Sequence, residues 1–126
     1  MKRIWSILIL ALVIAVICTT GCLYIFNFEN NITKIMNESK ELMQDKQYEQ
    51  AAKASKRAEQ YFVKNERIIS VFCDHELLEQ LGVSISKLAP LAEEETEYEF
   101  ESELQAAFVM LRHLVNDQRP SIKNIL

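Results

Sequence analysis

Residues 4–26 read IWSILILALVIAVICTTGCLYIF, a run without one charged side chain. At 1.5 Å per residue, a helix of about 23 residues is about 35 Å long, enough to cross a hydrocarbon core of about 30 Å. Lys2 and Arg3 stand immediately before the run, while Asn27, Asn30 and Asn31 with Glu29 follow it. The positive-inside bias then predicts a cytoplasmic N-terminus and an extracytoplasmic remainder. Trp5 near one end, with Tyr24 and Phe26 at the other, fits an interfacial aromatic belt. The expected organisation is a membrane anchor over residues 1–26, a helical bundle over 27–119 and an apolar tail over 120–126.

The same run admits a second reading. Lys2-Arg3, a shorter apolar core from Ile4 to Ile17, and Thr19-Thr20-Gly21-Cys22 also resemble a lipoprotein signal peptide cut before Cys22, which would then carry lipid. Against it stand Thr19, where a leucine-like residue is usual, and the apolar Leu23-Tyr24-Ile25-Phe26 just after the cysteine. Both readings tether one domain outside the membrane.

That domain has little to work with. At 126 residues the chain has room for one domain, and the anchor withdraws part of it. All eighteen acidic residues follow the anchor and two of the fourteen basic ones precede it, leaving twelve against eighteen. A net charge of this sign is unfavourable for nucleic acid or an anionic lipid surface. Cys73 is the single cysteine beyond the anchor, so no disulfide forms within the domain, and its residue type predicts burial.

The fold class follows from what is missing. Glycine occurs only at Gly21 and Gly82 and proline only at Pro90 and Pro120, so neither breaker falls between Phe28 and Leu81. Ile32, Ile35, Met36, Ser39, Leu42 and Met43 recur at three-and-four spacing, which predicts a helical stripe continuing the anchor. After the polar Asp45-Lys46-Gln47, a seam of Tyr48, Ala51, Ser55, Ala58 and Phe62 predicts a second, antiparallel helix that a neighbour approaches closely. Its opening is faintly like half of a tetratricopeptide hairpin, but no second copy follows at that period.

Lys64-Asn65-Glu66 reads as the next break. A third apolar face then runs through Ile68, Val71, Phe72, His75, Leu78, Leu81, Ile85, Leu88 and Ala92, bending near Gly82 and ending at Pro90. Alternatively, Asp74 caps a helix starting at His75, with Glu76 in its first turn. Phe100, Leu104, Ala107, Phe108, Leu111, Leu114 and Val115 mark a fourth helix behind a run of acids. The expectation is an all-α chain: an N-terminal transmembrane helix followed by a short up-and-down helical bundle.

Candidate chemistry is thin. In Asp74-His75-Glu76, neighbouring side chains diverge around a helix, so the triplet reads as core or cap unless His113 or a distant carboxylate joins it. Glu93 to Glu103 holds seven glutamates in eleven positions but neither the glycine nor the aspartates of a calcium loop, and reads as a solvated helix start. Cys73 and His75 lack an orienting partner and an oxyanion site, so no enzyme is expected. The acceptor patterns at Asn31 and Asn37 read as chance. No cofactor is implied.

Ser70-Val71-Phe72-Cys73-Asp74-His75-Glu76 and the ending Ser121-Ile122-Lys123-Asn124-Ile125-Leu126, behind an N-terminal membrane helix, resemble the bacterial family of domain of unknown function 4363. Phe72 to His75 and Asn124 to Leu126 carry the resemblance most strongly, and it extends over essentially the whole chain. It implies a short, single-anchor, helical protein with no assigned activity, encoded beside a polytopic membrane protein. Gly21-Cys22 and Cys73 depart from the apolar and aliphatic residues the resemblance leads one to expect; the first keeps the lipoprotein reading open and the second implies a core role for Cys73.

The functional expectation is an accessory or interaction protein of the bacterial envelope that binds another envelope or membrane protein. Its interaction surface is expected at the alanine seam, Ala51 and Ala58, and at the tail residues Ile122, Ile125 and Leu126. The alternative is an envelope sensor or binding module for a cation or small molecule, using the Glu93 to Glu103 carboxylates or the Asp74-His75 step.

Overall fold

A computed structural model describes residues 1–116, which form four helices: α1 Lys2–Gln44, α2 Tyr48–Phe72, α3 His75–Glu93 and α4 Glu97–Asn116. No strand occurs among them. Consecutive helices pack on one another and α4 returns to α1, closing an up-and-down bundle. The fold class is therefore as the sequence predicts.

α1 runs unbroken for 43 residues. Its first part, Ile4 to Ile17, exposes every large apolar side chain, while Ile25, Phe28, Ile32, Met36, Ser39 and Met43 are buried in the bundle. One helix thus changes environment along its length without changing its backbone. Burial begins at Gly21, so the bundle takes hold of α1 before the anchor boundary drawn at residue 26.

α2 returns antiparallel along α1. Ser39 faces Ser55, the Asn31 amide donates to the Tyr61 hydroxyl, the Tyr24 hydroxyl donates to the Asn65 side chain, and Gly21 meets the Phe72 ring. At the centre of the α1–α2 contact, Phe28 stacks on Tyr61 with ring centroids 5.6 Å apart and lies against Phe62 at 6.2 Å. α2 buries Ala51, Ala54 and Ala58, whose small side chains admit α1 and α3 on its two flanks.

The two turns remote from the anchor are built alike. At the first, the Gln47 N–H donates to Leu42 C=O and Lys46 N–H to Met43 C=O; at the second, Thr96 donates to Leu91 and Glu95 to Ala92. This is the Schellman pattern, with Lys46 at φ 62° and Glu95 at φ 60° in the left-handed position where glycine is usual. The α2–α3 turn differs. Cys73 and Asp74 are extended, and the Asp74 carboxylate accepts the Glu76 N–H at 3.0 Å as an N-cap.

Several local expectations change. Lys64-Asn65-Glu66 is not a break: α2 passes straight through, and Asn65 is half-buried, donating to Tyr61 C=O at 2.8 Å. The third face is not one stripe. Ile69, seven residues after Phe62, is the buried α2 position, leaving Ile68 and Val71 exposed; the register restarts after Asp74, so His75 is exposed rather than core. Nor does the chain bend at Gly82. A Cβ there would lie 2.7 Å from the Phe62 ring, so the glycine serves close helix approach. Pro90 lies inside α3, which ends at Glu93.

Candidate functional site

The expected site residues separate on folding. Ala51 and Ala58 have 0 % exposure and belong to the chain's own core, together with α1 and α3 residues. This corrects their assignment to an interaction surface: small residues signal close approach of a helix, and that helix is intramolecular. Ile122, Ile125 and Leu126 lie outside the described residues, as does the expected tail as a whole. Cys22 is exposed on α1 beside buried Gly21, whose missing Cβ accommodates Phe72; an added Cβ would sit 2.6 Å from that ring. The Gly21-Cys22 pair that resembles a cleavage motif thus includes a packing position.

Among the described residues, three serines, Ser39, Ser55 and Ser84, are the buried polar side chains. Ser39 and Ser55 hydroxyls lie 2.6 Å apart, and each is also within hydrogen-bond distance of Ala51 C=O, at 3.1 and 2.8 Å. Each hydroxyl has one proton, so one serine donates to the carbonyl while the other donates to its partner hydroxyl. Each buried side-chain oxygen or nitrogen among the described residues has a partner, so this pair fixes α1–α2 register and does not offer a reactive group.

The corner between α2 and α3 gathers the residues with candidate chemistry. Cys73 is half-buried against the core, and Asp74, His75 and Glu76 are exposed, the aspartate engaged as cap. His113 is exposed on the last turn of α4. No group of three or more His, Cys, Asp or Glu side chains placed to hold a metal ion occurs among the described residues.

The acidic run divides between two helices and the turn joining them. Glu93 ends α3, Glu94 and Glu95 occupy the turn, and Glu97, Glu99, Glu101 and Glu103 lie on α4. Two of them have defined partners: Glu97 accepts from the Tyr48 hydroxyl, and Glu103 stands 3.9 Å from the Lys87 ammonium. Between α3 and α4, Lys87, Pro90, Leu91, Tyr98 and Glu103 line an open groove of about 480 Å3. It is a shallow surface feature carrying mixed charge.

The Tyr48–Glu97 contact pins the remote end of α4 to the start of α2. Hydrogen bonding to Glu97, with smaller effects of desolvation and of the Glu97 and Glu95 charges, raises the Tyr48 phenol from its ordinary 10.0 to about 12. The folded state therefore favours the protonated phenol. Its stabilising contribution is present below pH 10 and is lost as pH rises towards about 12. Thermal melts over that window should fall more steeply for the native chain than for Tyr48→Phe; parallel curves would show that the contact contributes nothing in solution.

At the end of the bundle next to the N-terminal apolar segment, α1 and α2 form a different surface. Val16, Ile17, Thr20, Tyr24, Ile68 and Phe72 line an almost wholly apolar groove of about 270 Å3. Ile68 in this lining is 48 % exposed, and Val71, the residue before Phe72, is 76 % exposed. Sequence reading missed this surface because it assigned Ile68 and Val71 to the core. The signal was available in their offset from the Phe62-to-Ile69 register.

The family model described as "Domain of unknown function (DUF4363)" matches residues 20–125. Its start falls one residue before Gly21, where α1 first becomes buried. Comparison with curated proteins and with solved structures gives no match to either.

Proposed function

The chain belongs to the DUF4363 family, and from that premise we propose that it is a single-pass, membrane-anchored accessory protein of the bacterial envelope. In this reading the N-terminus is cytoplasmic, the bundle is displayed outside, and the protein acts without catalysis by binding another membrane protein. The observation that carries the reading is the continuity of α1. Its exposed apolar segment is long enough to cross a bilayer, and the same unbroken helix supplies the core stripe of the bundle. A domain joined to its span in this way is held close to the bilayer and moves rigidly with the span, which suits action on a target in the same membrane.

The test is crosslinking in cells with the full-length protein, extraction in mild detergent, and mass spectrometry of the bait and its companions. The expected result is one membrane protein recovered reproducibly, together with peptides containing Met1. Recovery of the bait alone would overturn the accessory role. A bait beginning at a lipidated Cys22 would overturn the spanning helix and establish the lipoprotein form.

A further inference from the structure

Among the described residues of α2 to α4, the exposed large apolar side chains are Val63, Ile68, Val71, Val83, Tyr98 and Val109. Scattered single residues of this kind are ordinary on a protein surface. Ile68 and Val71 are different. They lie on the last turn of α2, where Ile68 and half-buried Phe72 line the apolar groove shared with Val16, Ile17 and Thr20 of the span, and exposed Val71 directly precedes Phe72. The surface is continuous from one helix to the other.

Its height can be placed. Trp5 and Tyr24 are 19 residues apart in one straight run of helix, a rise of about 28 Å, which matches a hydrocarbon core of about 30 Å bounded by interfacial aromatics. Phe72 packs on Gly21, three residues to the membrane side of Tyr24, which is about 4 Å inside the outer boundary so defined. The end of α2 is therefore level with the margin of the acyl chains. Arg67, Asp74, His75 and Glu76, all exposed, surround it and hold immersion to a shallow depth.

We propose that the α2–α3 corner is seated in the outer leaflet, with Ile68, Val71 and Phe72 against lipid acyl chains next to the headgroups. The occupant of the apolar groove is lipid. The bundle then meets the bilayer at two places, the span and this corner, and is fixed in rotation about α1 as well as in height. This inference rests on the spanning reading of α1.

The test uses full-length protein in phosphatidylcholine vesicles, with tryptophan as the depth probe. In a Trp5→Phe background, Val71→Trp places an indole at an exposed position that needs no repacking, and Ile68→Trp gives a second one. Tyr98→Trp, on the remote side of the bundle, is the reference, and the otherwise native chain reports through Trp5. Lipids brominated near the carbonyl should quench Val71→Trp and Ile68→Trp to an extent comparable with Trp5, and leave Tyr98→Trp unquenched. If both corner probes stay unquenched while Trp5 is quenched, the corner is out of the lipid and the proposal fails with the span intact. A blue-shifted but unquenched corner would mean that protein, a second copy or another helix, covers the groove, and overturns it likewise. Absence of quenching at Trp5 itself would remove the spanning reading and the proposal together.

Discussion

Phe28→Ala is expected to lower the stability of the bundle by about 3–5 kcal/mol, as for other buried phenylalanines cut back to alanine. The side chain is 1 % exposed, stacks on Tyr61 and touches Phe62, one turn after buried Ile25 on the same face of α1. Truncation removes its transfer free energy and leaves a void between helices whose backbones are held apart by their other contacts. For a domain with typical stability of about 5–15 kcal/mol this is a large fraction. Denaturant unfolding of the detergent-solubilised chain, followed by helical circular dichroism, measures it. Val109→Ala, at a position 47 % exposed, should stay within about 0.5 kcal/mol. Similar losses in the two variants would mean that Phe28 does not occupy the core.

Asn27→Pro is expected to cost about 3 kcal/mol or more, although the asparagine side chain is exposed and contributes no packing. Proline removes the N–H that closes the helical turn onto Leu23 and crowds that carbonyl, between buried Ile25 and Phe28. Asn27→Ala, which keeps the donor and favours helix, should be neutral or slightly stabilising. The same unfolding assay compares them. Equal stability of the two variants would show that the span and the bundle are separate helices joined at a hinge, and the inference from continuity would fall with it.

Helix type and the first remote turn were legible in the sequence because each rests on local information; the second was not, since Pro90 reads as the end of the third helix, which runs on to Glu93. Apolar spacing from Ile32 to Met43 predicts one face, and that face is buried except for its edges at Ile35 and Leu42. Asp45 to Gln47 predicts a stop even though no glycine marks it, since the left-handed residue is Lys46. What failed was information about neighbours. The triplet Lys64 to Glu66 looks like an interruption, but a polar triplet also fits a helix face when its middle residue, Asn65, has partners in Tyr24 and Tyr61. Gly82 looks like a bend until Phe62 is seen against it. Ala51 and Ala58 announce a close partner without saying that the partner is the chain's own α1 or α3. The corner surface was hidden by one misplaced register: reading a single stripe from Ile68 to Ala92 required the face to cross Cys73 and Asp74 unchanged, and the extended turn there resets it.

On the proposed spanning reading, the undivided α1 also makes the bundle a lever. From Gly21 to Gln44 the helix rises about 35 Å, so a span inclined by about 20°, an ordinary tilt, swings the Lys46 and Glu95 turns sideways by about 12 Å. A hydrophobic stretch longer than the local bilayer is thick accommodates in part by tilting, and α1 is unbroken to the far end of the bundle. In a thin membrane the remote turns lean outward, and in a thick one they stand over the point where the chain leaves the lipid.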